Sequence, residues 1–124
     1  MCLILSCFCV GHTRTNSWLE IGSMAQFDYE MRNAIDRLIV VEFYYSWCDY
    51  SKLIVSSLDL LALKYSNVIM LRVDIDKFKA LAARYNVIYS PTFVYLRFSR
   101  LLEIFTDANV NRFEHVLNKR LRYL

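Results

Sequence analysis

Leu38 to Tyr45 is an almost unbroken run of β-branched and aromatic residues, interrupted by a single acid, Glu42. A half-exposed strand alternates apolar with polar side chains, so a continuous run implies a strand covered on both faces. Such a strand belongs at the centre of a sheet with helices on each side. The run ends in Ser46-Trp47-Cys48-Asp49, after which Ile54, Leu58, Leu61 and Tyr65 recur at helical spacing. That spacing predicts a helix from about Asp49 to Tyr65, with its amino terminus at Cys48. Free backbone N–H groups and the helix dipole favour a thiolate there.

The rest of the chain alternates strand and helix without internal repeats or low-complexity linkers, the pattern of an α/β domain. Trp18 to Ile21 reads as a short strand. Ser23-Met24-Ala25-Gln26 reads as a capping box opening a helix that carries Phe27, Met31, Ala34 and Ile35 on one face and ends near Asp36-Arg37. Val68 to Val73 is a further strand, and Phe78, Leu81, Ala82 and Tyr85 form a shorter helical stripe. Thr92 to Arg97 and Leu101 to Phe105 read as a strand pair joined around Phe98-Ser99-Arg100. A last helix starts near Asn109 and is expected to bury Val110, Phe113, Val116, Leu117 and Leu121.

With 124 residues, the chain has room for one domain with a substantial core. Its apolar content of 56% argues against disorder, and charges interrupt the apolar runs before membrane-spanning length. Neither nucleic acid nor membrane is expected as a partner: the net charge is +3, and the basic residues are scattered except for Lys119-Arg120-Leu121-Arg122, which suits a helix carboxyl terminus. Cys2, Cys7 and Cys9 lie in the first nine residues, leaving Cys48 alone in the body, so no internal disulfide framework is expected. Residues 1–16 read as an extension and 17–124 as the folded domain. Leu3 to Val10 has the length of a signal-peptide apolar region but lacks a basic start and a small-residue cleavage site. A cytoplasmic location is therefore expected, with secretion the alternative if residues 1–11 act as a signal. The Cys7/Cys9 pair lacks a second ligand cluster, and neither a metal nor another cofactor is expected.

Tyr45-Ser46-Trp47-Cys48-Asp49-Tyr50-Ser51-Lys52 resembles the active-site segment of the thioredoxin family, whose pattern is Trp-Cys-Gly-Pro-Cys-Lys. Three other segments support the resemblance: Val73-Asp74-Ile75-Asp76, the Ser90-Pro91-Thr92-Phe93 loop that matches the family's cis-proline, and Glu42 at its buried acidic position. The resemblance covers roughly Ser17 to Leu124. It implies a mixed sheet of about five strands flanked by four helices, with Cys48 as the attacking nucleophile, Glu42 as a buried proton-relay acid, and Trp47, Tyr50, Ser90, Pro91 and Thr106 around the client groove.

The departures from the family are as informative as the matches. Ser51 stands where the family has its resolving cysteine, so a mixed disulfide formed by Cys48 has no internal thiol to release it. Asp49 places a negative charge beside the sulfur, which Lys52 partly offsets. Ser90 replaces a large apolar residue before the proline, and Thr106-Asp107 replaces Gly-Ala. Two readings stay open. The first is a monothiol member of the family, engaged in thiol–disulfide exchange with protein clients and served by glutathione, a thioredoxin reductase, or Cys2, Cys7 or Cys9. The second is a redox-inactive binding module in which Cys48 is only a small apolar side chain and Glu42 is satisfied structurally. His12, in the extension, and His115, on the last helix, are not expected to pair with Cys48.

Overall fold

The computed structural model describes residues 16–122. Its strands are β1 (Leu19–Glu20), β2 (Ile39–Tyr44), β3 (Ile69–Asp74), β4 (Thr92–Arg97) and β5 (Arg100–Thr106). Its helices are α1 (Met24–Asn33), α2 (Asp49–Leu53), α3 (Val55–Lys64), α4 (Lys79–Arg84) and α5 (Val110–Arg122). The five strands form one sheet in the order β1-β3-β2-β4-β5, with β1, β3 and β2 parallel, β4 antiparallel to β2, and β5 antiparallel to β4. β2 is central, as its composition demands, and Ile39, Val40, Val41, Glu42 and Phe43 are all fully buried.

Alternation along β2 divides the core in two. Ile39, Val41 and Phe43 pack with Phe27 of α1 and with Leu81 and Ala82 of α4. Val40 points the other way, into Leu58 and Leu61 of α3 and Phe113 and Leu117 of α5. Phe113 touches Phe93 at a centroid distance of 4.5 Å, and each such buried aromatic is worth about 1.5–3 kcal/mol of transfer free energy. Glu42 sits on the same face as Val40, in register with Arg72 of β3 and Phe93 of β4.

Several local expectations need correction. The single helix expected over Asp49–Tyr65 is two, divided at Ile54 (φ −101°, ψ −1°), so the sheet carries five helices and not four. No glycine or proline marks that break. The two pieces are anchored separately: Ser51 is tied to Ser90, and the Leu58 carbonyl accepts from the Trp18 indole N–H at 2.9 Å. Leu121 is 38% exposed, so the last helix buries Phe113, Val116 and Leu117 but not its final leucine. The Ser23 hydroxyl caps Gln26 N–H, yet the Gln26 side chain returns to Gly22 N–H at 2.6 Å instead of the N-cap N–H of a true capping box.

Ile35 is the sharpest miss. It lies past the end of α1 at φ 57° and is 73% exposed, where a helix-face residue was expected. Just beyond a helix end, the left-handed conformation suits glycine, and for a β-branched side chain it costs roughly 1–2 kcal/mol. Ile35→Gly is expected to raise the unfolding free energy by about 1 kcal/mol, once glycine's greater unfolded-state entropy is subtracted. A higher urea midpoint at unchanged slope confirms this, and an unchanged midpoint shows that the local backbone has absorbed the strain.

Candidate active site

β2 delivers the chain to a tight turn in which Cys48 N–H donates to the Tyr45 carbonyl at 3.0 Å. Cys48 then serves as N-cap of α2 in an extended conformation (φ −82°, ψ 118°). The residue is 9% exposed, and its thiol donates to the Ser90 carbonyl at 3.4 Å. The Ser90-Pro91 bond is cis, and this fold-back brings Ser90 against the thiol from 42 positions away.

Burial pushes the Cys48 thiol up, whereas the Ser90 hydroxyl, the Ser51 N–H and hydroxyl, and the Tyr50 N–H pull it down. The net direction is below the ordinary cysteine value. The S–H donation to the Ser90 carbonyl opposes this, but a thiol is a weak donor. Asp49 and Lys52 are both exposed on α2.

Ser51 is 2% exposed, and its Oγ lies 2.5 Å from Ser90 Oγ. Ser90 Oγ also accepts the Tyr45 backbone N–H at 3.0 Å. The two departures from the family at Ser51 and Ser90 are thus one feature, a hydroxyl pair beside the sulfur.

Trp47 is 65% exposed, stacked on Tyr45 at 4.6 Å between centroids and held by Asp76, which accepts its indole N–H at 3.1 Å. Tyr50 is exposed and Pro91 is buried. Thr92 follows Pro91; its hydroxyl donates to the Tyr89 carbonyl at 2.7 Å, so the Thr106 hydroxyl, 2.8 Å away, donates to Thr92. That bond ties Thr106, the last residue of β5, to Thr92, the first of β4.

Glu42 is fully buried, and its Oε1 accepts from Arg72 Nε at 2.8 Å. Its Oε2 has no hydrogen-bond partner among the described residues. Burial raises its pKa, which Arg72 only partly counters. Glu42 makes no hydrogen bond to Cys48 or Ser51 among the described residues.

Sequence reasoning missed Arg72 as the partner of Glu42, Asp76 as the anchor of Trp47, and Leu53, Ile88 and Tyr89, all exposed apolar residues on the segments flanking the site. The Val73-Asp74-Ile75-Asp76 motif carried a signal for Asp76, whereas Arg72 becomes visible only once the register of β3 against β2 is known. The candidate resolvers Cys2, Cys7 and Cys9 lie outside the described residues.

The thioredoxin family model matches residues 19–119. Thioredoxin-1 of Drosophila yakuba is 37% identical over 104 residues, 83% of this chain and 97% of the relative. Human thioredoxin is 34% identical over 100 residues, 81% of this chain and 95% of the relative. The crystal structure of the germline-specific thioredoxin Deadhead of Drosophila melanogaster superposes with a TM-score of 0.77 at 37% identity, covering 81% of this chain and 96% of that one. Fold, cis-proline loop and sequence similarity agree, and the chain belongs to the thioredoxin family, whose chemistry is thiol–disulfide exchange.

Proposed function

We propose that this domain carries out thiol–disulfide exchange as a monothiol. The Cys48 thiolate attacks one sulfur of a client disulfide, forming a Cys48–client disulfide and expelling the other client sulfur as a thiolate. The observation that carries this reading is the combination of a depressed thiol at Cys48 with a buried hydroxyl at Ser51. The first step is provided for, and internal release is not. The second thiol comes from outside, from glutathione or another protein, in a reducing compartment such as the cytoplasm.

Incubation with a protein disulfide such as insulin, followed by acid quench and mass spectrometry, tests the reading. The native chain is expected to accumulate a Cys48-linked adduct, and Cys48→Ser none. The alkylation rate of Cys48 is expected to rise with pH through a midpoint below that of an ordinary cysteine, since deprotonation produces the nucleophile. An unreactive Cys48 would favour the second reading, a binding module. The exposed Trp47, Tyr50, Leu53, Ile88 and Tyr89 are the observation on that side.

A further inference from the structure

Resting on the monothiol reading, we infer that the Ser51–Ser90 hydroxyl pair makes Cys48 the leaving group when an external thiol ends the mixed disulfide, so that the client departs as a disulfide with that thiol. Stereochemistry is the first ground. Thiol–disulfide exchange is an in-line displacement at sulfur, with attacking and departing sulfurs on opposite sides of the one attacked. When a client is joined to Cys48, its sulfur lies on the solvent side. An attack on Cys48 Sγ must then come from the protein interior. That interior is occupied: Ser51 is 2% exposed, Cys48 is 9% exposed, and the Ser90 carbonyl lies 3.4 Å from the sulfur. In this family that position belongs to the resolving thiol, and here it is a hydroxyl. An external thiolate reaches only the client sulfur.

Proton accounting is the second ground. The Tyr45 N–H donates to Ser90 Oγ, so one acceptor site of that hydroxyl is already used. Across the 2.5 Å contact one hydroxyl donates to the other, and the O–H of the accepting serine is left available to the sulfur, whose thiol both hydroxyls draw down. In either direction the pair is a chain of donors ending on the atom that acquires negative charge as it leaves. Charge-assisted hydrogen bonds to a thiolate are stronger than those to a neutral disulfide sulfur, so the chain favours departure over the bound state. The balanced step is client–S–S–Cys48 plus a glutathione thiolate giving client–S–S–glutathione plus the Cys48 thiolate. One disulfide breaks, one forms, and no net oxidation occurs.

The test is a partition measurement. Full-length protein is loaded at Cys48 with a single-cysteine peptide activated as its thionitrobenzoate disulfide, then mixed with glutathione and quenched in acid within the first turnover. Mass spectrometry counts the peptide–glutathione disulfide against Cys48–glutathione. The native chain is expected to favour the peptide–glutathione product by at least about fivefold. Ser90→Ala and Ser51→Ala are expected to lower that ratio and to move the pH midpoint of Cys48 alkylation upward, while Ser90→Thr, which keeps the hydroxyl, retains both. A merely structural serine would shift neither pH midpoint nor ratio. If the peptide fails to load at Cys48, the monothiol reading falls and this inference with it. Loading followed by predominant Cys48–glutathione, or a ratio indifferent to both alanine variants, overturns the inference alone.

Discussion

Ser51→Cys is expected to convert a chain that stalls at the mixed disulfide into one that turns over insulin with dithiothreitol, raising the steady-state rate on the order of 10²-fold. The native side chain is buried one helical turn from Cys48, and its N–H and hydroxyl are among the groups that draw the Cys48 thiol down. A sulfur at the same Cβ therefore begins within reach of the one it must attack. Release then becomes intramolecular, and intramolecular thiols act at effective concentrations far above any external one. The interior approach that excludes glutathione is the direction from which the new thiol comes.

The substitution carries a local cost. Ser51 Oγ is one partner of the 2.5 Å contact with Ser90, and a thiol is the poorer partner, so stability is expected to fall by about 1 kcal/mol. That loss is far too small to mask a hundredfold gain. If Ser51→Cys and the native chain are both inert while both remain folded, the drifted groove at Ser90 and Thr106 no longer admits a disulfide. The binding-module reading then stands.

The elements that position this site were legible in the sequence to the extent that they are local. The eight residues from Leu38 to Tyr45 declare a central strand because no other environment tolerates so many apolar side chains in succession. Cys48 follows at its end because the polarity of the chain changes there. Pro91 announces the opposing loop, and its cis bond matches the expectation drawn from the family pattern. What the sequence did not disclose is decided by pairings across long separations. Ser51 meets Ser90 from 39 positions away, and neither residue carries a local sign that the other will be there. Each was read singly as a loss, of a resolving thiol and of an apolar contact, when together they make one hydrogen-bonded unit. The helix from Asp49 onward fails for a different reason. Ile54, Leu58 and Leu61 are all buried as the periodicity requires, but burial spacing does not record whether the backbone hydrogen bonds run unbroken. Ile35 repeats that lesson at a helix end, where an apolar side chain at the right interval lies two residues beyond Asn33, the last of the helix.

Arg72→Met is expected to destabilise the fold by about 3 kcal/mol at pH 8, and by clearly less at pH 5. Glu42 has no exposure to solvent, and Arg72 supplies its recorded hydrogen bond, at 2.8 Å. The arginine is itself held in place, with its guanidinium 4.1 Å over the Tyr44 ring and Nη1 3.7 Å from Glu20. Removing it leaves a buried carboxylate whose two oxygens are both unsatisfied. Burial already holds the Glu42 pKa above its ordinary value with Arg72 present, and without Arg72 it rises further. A carboxyl whose folded pKa is raised contributes stability that is fully present below the unfolded value, about 4.3, and lost as pH climbs through the folded value. The variant is therefore expected to weaken from pH 5 to pH 8 relative to the native chain, as the cost of ionising Glu42 grows. Urea denaturation at the two pH values measures this directly. The Glu42→Leu, Arg72→Met double variant is expected to recover most of the loss and to show no excess pH dependence, because an apolar pair of similar volume needs neither charge nor partner. Were Arg72→Met equally unstable at both pH values, the loss would come from packing over Tyr44, and Glu42 would hold its proton irrespective of the arginine.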